Sequence, residues 1–114
     1  MYHIDFVELD NNKPFKRFSE SLTLEEQAKL IVTIDRFLER KNLNLPVKSS
    51  LSKYLEDGIF ELILLFPNKT ARILYYYEKE GQIIITHGFI KKTQKTPRKE
   101  IEYAKNLENN ITKG

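Results

Sequence analysis

The chain has 114 residues, 40% of them apolar, and a formal net charge of only +3, which describes one folded domain with a modest core and not a disordered polyelectrolyte. It has no cysteine, which excludes disulfides, thiolate metal sites and a cysteine nucleophile, and its two histidines, His3 and His87, lie too far apart in sequence to suggest a multi-histidine metal centre. The apolar runs are too short to span a membrane, the first residues are not signal-like and four glycines are few for a nucleotide-binding loop, so the expectation is a cytoplasmic chain with no cofactor and no metal.

Residues 2–9 alternate around Ile4, Phe6 and Val7 and predict a first strand. A turn follows at residues 10–13, after which Pro14 can open a short helix with Phe15, Phe18 and Leu22 on its apolar side. Thr23 with Glu26 three residues later is a capping box. The helix it opens carries Leu24, Ala28, Ile31, Ile34 and Leu38 at helical spacing and ends near Lys41 and Asn42, before Pro46. Residues 53–55 are a candidate short strand, and Asp57-Gly58 is a turn signal. Residues 59–66, 70–78 and 82–90 predict three strands whose short connections make them antiparallel neighbours. A last helix starts near Pro97, with Thr96 able to cap it, and places Ile101, Ala104, Leu107 and Ile111 on one face. The order predicts a single α+β domain over residues 1–114. Its meander of residues 59–90 packs against the 24–41 helix, and the 97–109 helix lies at the end of the sheet.

Positive charge is concentrated late in the chain. Residues 91–105 hold six Lys or Arg against two Glu, whereas residues 1–90 hold twelve cations and thirteen anions. Lys91, Lys92 and Lys95 occupy the connector before the last helix, and Arg98 and Lys99 fall in its first turn. That is the unfavourable end of the helix dipole, at a cost of about 0.3–1 kcal/mol each. A polyanion such as RNA phosphate reverses that cost; a solvated basic helix start is the alternative.

Four pieces of the sequence, taken in order, carry a family resemblance. They are LEDGIFEL (residues 55–62), ARILYYY (71–77), HGFIKKTQKTP (87–97) and EIEYAK (100–105), of which the KKTQKTP block is the most distinctive. Together they resemble the HigB-like, phage-derived branch of the RelE/ParE toxin superfamily. The resemblance implies a RelE-like α+β fold with an N-terminal strand and two helices, an antiparallel meander and a C-terminal helix. It also implies a type II toxin neutralised by a small antitoxin, of helix-turn-helix type and encoded beside it. The implied activity is that of a metal-independent, ribosome-dependent endoribonuclease acting on messenger RNA, with ribosome and messenger RNA as further partners. Its chemistry is attack of an RNA 2′-hydroxyl on the adjacent phosphate, which needs a proton acceptor, cations around the phosphate and a proton donor for the leaving oxygen.

One position departs from the family pattern. Relatives often follow Glu-Leu with Arg, whereas Glu61-Leu62 is followed here by Ile63. Arg72 is retained, and Lys53, Lys69 or the 91–99 cluster offer replacement cations. Two other readings stay open: a non-nucleolytic toxin that blocks a target such as gyrase, and a degenerate member that only binds antitoxin. Closing the second hairpin at Glu78 and Gly81 pairs Arg72 with His87, Leu74 with Ile85 and Tyr76 with Ile83; closing the first at Phe66 and Ala71 pairs Leu65 with Arg72. Alternation then places Ile63, Arg72, Leu74, Tyr76, Ile85 and His87 on one face, and Leu62, Leu64, Ile73 and Ile84 on the other. Arg72 and His87 are the catalytic candidates, for phosphate charge and proton transfer respectively, since histidine titrates near about 6.5. Lys91, Lys92, Lys95, Arg98 and Lys99 are candidate RNA contacts, and Tyr76 a candidate base-stacking ring. The plainer readings are that Arg72 offsets Glu61, that His87 is a hydrogen-bonded packing residue and that Tyr76 packs in the core.

Overall fold

Connections of two to four residues leave the middle of this chain no course but to fold back on itself. In the computed structural model, which describes residues 1–112, the elements are β1 (His3–Phe6), α1 (Pro14–Glu20), α2 (Leu24–Asn42), β2 (Ser52–Glu56), β3 (Ile59–Leu65), β4 (Thr70–Tyr77), β5 (Gln82–Lys91) and α3 (Arg98–Thr112). Asp57 and Gly58 both sit at positive φ, the left-handed two-residue turn that reverses β2 into β3. The described residues form one sheet in the order β1-β5-β4-β3-β2. β2 to β5 are mutually antiparallel, and β1 returns to pair parallel with β5. The fold is α+β, compatible with the RelE-like architecture.

The capping box forms as predicted, with Thr23 Oγ1 accepting from the Glu26 N–H and Glu26 Oε1 accepting from the Thr23 N–H. The buried face of α2 differs from the expected one. Leu30 and Phe37 are buried, with Ile34 and Leu38 beside them, while Leu24 and Ile31 are exposed. Apolar residues nearly encircle α2, and burying the large Phe37 ring against Tyr75 selects the stripe, with ring centroids 5.1 Å apart.

Each sheet face has its own core. α1 and α2 cover one, where Phe18, Leu30 and Phe37 pack on Leu62, Leu64, Ile73, Tyr75, Ile83 and Ile85. α3 covers the other instead of lying at the sheet's end; Ala104 and Leu107 pack there on Ile59, Leu74, Tyr76 and Ile84. Leu62, Leu64 and Ile73 therefore share a face as expected, but Ile84 does not. The predicted pairings also move. Arg72 pairs with Phe89, Leu74 with His87, Tyr75 with Ile85 and Tyr76 with Ile84, with a bulge between Leu74 and Tyr75. In the first hairpin Ile63, and not Leu65, opposes Arg72. The bulge leaves Thr86 without a partner in the ladder and reverses the facing of residues 83–85 relative to 87–90. Arg72 and His87 still share the α3 face, two positions apart along the ladder.

Gly88 is where α1 presses on β5: a Cβ there would enter the Phe18 ring, which is itself buried. Gly88→Val should destabilise the fold by about 1–3 kcal/mol through overpacking. A denaturation midpoint indistinguishable from wild type would show that α1 can retreat freely.

Candidate functional site: two buried polar groups beneath the start of α3

The first group is built on three adjacent strands. Glu61 on β3 is fully buried, an unusual place for a carboxylate. Its Oε2 lies 3.3 Å from Arg72 Nε and 3.8 Å from Lys53 Nζ. Its Oε1 accepts a 2.6 Å hydrogen bond from Thr96 Oγ1, so the threonine expected to cap α3 closes over the carboxylate instead. Arg72 Nε and Glu61 Oε2 are close without a well-aligned hydrogen bond, which makes their contact a charge interaction more than a docked fork. Lys91 adds a third cation from β5. Burial and then the neighbouring Arg72 hold its ammonium below the ordinary lysine range; Lys53 adds to this and Glu61 opposes it. Two cations thus lie within 4 Å of one carboxylate, and Lys91 is near enough for both Glu61 and Arg72 to act on it.

The second group lies on β5. His87 Nε2 is 3.0 Å from Glu100 Oε1 on α3, and Nδ1 is 3.1 Å from Thr86 Oγ1. The Thr86 hydroxyl, at the bulge, also reaches the Leu74 carbonyl at 3.1 Å. Tyr103 meets the imidazole edge-on, with centroids 4.7 Å apart. Burial draws the His87 pKa below its ordinary value, and Glu100 opposes that shift. Because the folded protein binds the His87 proton less readily than the unfolded chain, this group contributes stability above about pH 6.5 that is lost as pH falls through the lower folded pKa. Thermal melts from pH 7 downward should therefore show falling stability already below about pH 6.5, and His87→Gln should remove that part of the slope. An unchanged slope in the variant would assign it to other groups.

The entry to α3 therefore reaches across the sheet, with Thr96, two residues before the helix, on the Glu61 group and Glu100, in its first turn, on the His87 group. That geometry falls within the segment matched by a protein-family comparison: the phage-derived Gp49-like family (DUF891) matches residues 16–108. The chain belongs to this family. The Gp49-like family is part of the RelE/HigB-like group of toxins of toxin–antitoxin systems, and an antitoxin is the partner it implies. No curated protein matches the chain.

In this Gp49-like chain the remaining predicted residues fall into two sets. Lys92, Lys95 and Lys99 are exposed and make no ion pair among the described residues. Arg98 is engaged: its guanidinium pairs with Glu56 of β2 through both terminal nitrogens and with Glu102 one turn on. Glu56 answers the dipole cost expected for Arg98, and Lys105 also pairs with Glu56 and Asp57. Lys69 is occupied too, 3.1 Å from Glu26. Tyr76 does not present its ring for base stacking. It is 2% exposed beneath α3, its hydroxyl has no hydrogen-bond partner, and burial with Glu78 and Glu108 nearby pushes its pKa up to about 12. Nothing in the sequence singles out Glu61, Thr96 or Glu100 as functional, although an Arg72 that offsets Glu61 is one of its plainer readings. Among the described residues no group of three or more His, Asp or Glu side chains is placed to hold a metal ion. No helix among them is long and apolar enough to cross a membrane.

Proposed function

We propose that this Gp49-like chain is the HigB-like toxin of a type II toxin–antitoxin pair and that it cleaves messenger RNA at the ribosome without a metal. The observation that supports this best is the surplus of positive charge around Glu61. Lys53 and Arg72 meet a single carboxylate with Lys91 near them, and an RNA phosphate is the anion that balances them. In the reaction the 2′-oxygen bonds to the adjacent phosphorus as His87 takes the 2′-hydroxyl proton, the bond from phosphorus to the 5′-oxygen breaks to leave a 2′,3′-cyclic phosphate, and the 5′-oxygen takes up a proton from the imidazolium or from water. Arg72 and Lys91 stabilise the charge developing on the phosphate. Lys92 and Lys95 hold flanking phosphates, and Lys99 extends the same basic surface. Glu61 acts as a positioning residue that aims Arg72 and Lys53. His87 transfers a proton once Glu100 releases Nε2, which requires the first turn of α3 to shift.

A second reading has its own support. His87 is 4% exposed, so the proton-transferring group is closed to a substrate, and Ile63 stands where relatives often carry Arg. A toxin that binds and blocks its target, gyrase being one candidate, needs only the cations; a degenerate member needs only its antitoxin. Induced expression without antitoxin, followed by mapping of messenger RNA 5′ ends, separates these readings. New, discrete 5′ ends support the nuclease. Growth arrest with an unaltered map supports the blocking toxin, and neither effect supports the degenerate member.

The RNA surface carries its own expectation. Replacing Lys91 and Lys92 together with Ala should weaken RNA binding and reduce the slope of log affinity against log salt by about 1–2, corresponding to two phosphate contacts. Titrating a labelled single-stranded RNA at several salt concentrations checks this; an unchanged slope would remove both lysines from the interface.

A further inference from the structure

β2 stops short of its neighbour, and the uncovered part of β3 lies in a basic groove. The Phe66 N–H bonds the Lys69 carbonyl, so alternation turns the backbone groups of residues 61, 63 and 65 away from β4. The Ile63 N–H is taken by the Leu51 carbonyl, but β2 begins only at Ser52, paired with Leu62. No strand lies beside Leu65, which is 55% exposed. This edge opens into a groove of about 550 Å³ whose apolar side is Leu51, Ile63 and Leu65. Lys29, Arg36, Arg40 and Lys48, from α2 and the segment after it, line the rest. None of these four cations makes an ion pair among the described residues; Arg40 only donates to the Pro46 carbonyl. They are scattered through residues 29–48, where the sequence shows no basic run.

An open strand edge, an apolar floor and an unneutralised basic wall define one kind of occupant. We propose that the groove docks an extended acidic segment of the antitoxin, which adds as a short strand to the Ile63–Leu65 edge in line with β2. Its backbone pairs with the Leu65 N–H and C=O, alternate apolar side chains meet Leu51 and Leu65, and its carboxylates face Lys29, Arg36 and Lys48. An RNA backbone fits less well, because it offers neither the strand-pairing groups nor apolar side chains for the floor. Ile63 is shared, since it opposes Arg72 on β4, so the docked segment borders the Glu61–Arg72 group on one side and the α2 cations on the other. The inference rests on the toxin reading above.

The test uses the toxin co-expressed with the product of the adjacent reading frame. Amide exchange at Leu65 should slow at least tenfold in the complex. The triple variant Lys29→Glu/Arg36→Glu/Lys48→Glu, all exposed positions, should weaken the complex at least tenfold at low salt while leaving the isolated toxin folded. Leu65→Pro, which removes the outward N–H, should weaken it similarly; if that variant does not fold, the charge-reversed one carries the test. A stable complex in which Leu65 exchange and the charge reversal have no effect overturns the docking site and leaves the toxin reading standing. Absence of any complex overturns both. Protection of Leu65 by single-stranded RNA and not by the antitoxin also overturns the proposal.

Discussion

Arg72→Ala should reduce messenger RNA cleavage by about 10²–10³-fold, the usual loss when a donor to the transition state is removed. It should also destabilise the protein, which a simple surface cation would not do. Arg72 is the nearest cation to Oε2 of a carboxylate with no exposed surface, and removing one member of a buried pair leaves the other charge uncompensated. Such truncations cost about 3–5 kcal/mol; Lys53 at 3.8 Å and the Thr96 hydroxyl remain with Glu61 and bring the expectation to the lower end. The two effects can be separated. Arg72→Ala/Glu61→Gln removes the stranded charge and keeps an oxygen for Thr96, so it should recover most of the stability and none of the activity. Denaturant melts alongside a 5′-end assay provide both readings. Cleavage that survives Arg72→Ala would remove Arg72 from the mechanism, and a double variant as unstable as the single one would remove the ion-pair explanation.

That coupling between chemistry and stability was only half legible in the sequence. Local signals placed the elements well: the Thr23/Glu26 box, the Asp57-Gly58 turn and the period of Ile101, Ala104 and Leu107 each correspond to a feature of the fold. Signals that depend on register did not carry through. Ile83, Ile84 and Ile85 are interchangeable apolar residues, so nothing in the run marks the bulge that sends Ile84 to the α3 face and Ile83 and Ile85 to the other. α2 offers several overlapping apolar stripes, and only the Phe37–Tyr75 contact selects among them. Glu61 reads as a solvent-facing strand acid until its neighbours are known, and these come from residues 53, 72 and 96. His87 and Glu100 meet across thirteen residues through a helix that sequence alone placed at the sheet's end. The parallel pairing of β1 with β5 joins segments nearly eighty residues apart and has no local signature.

The corrected register sharpens the meaning of Ile63. It directly opposes Arg72, so a longer side chain at 63 would rise on the same face, next to the guanidinium. An Arg at 63 would set a second guanidinium beside that of Arg72, where this chain has one with Lys53 and Lys91 near it. Ile63→Arg should therefore raise cleavage, by up to about 10²-fold if the added cation acts directly on the developing phosphate charge. The stability cost should be small, since like charges in opposed positions repel by roughly 0.2–1 kcal/mol and Glu61 lies close enough to offset part of it. Ile63→Gln is the control, adding length and polarity without charge, and should leave cleavage near the wild-type level. A matching gain in both variants would point to loosening of β3 rather than to charge. A wild-type chain that cuts no messenger RNA and gains discrete 5′ ends only with Ile63→Arg would show a nuclease scaffold silenced at one residue. Silence in both would favour the blocking toxin, whose phosphate-facing lysines bind without cutting.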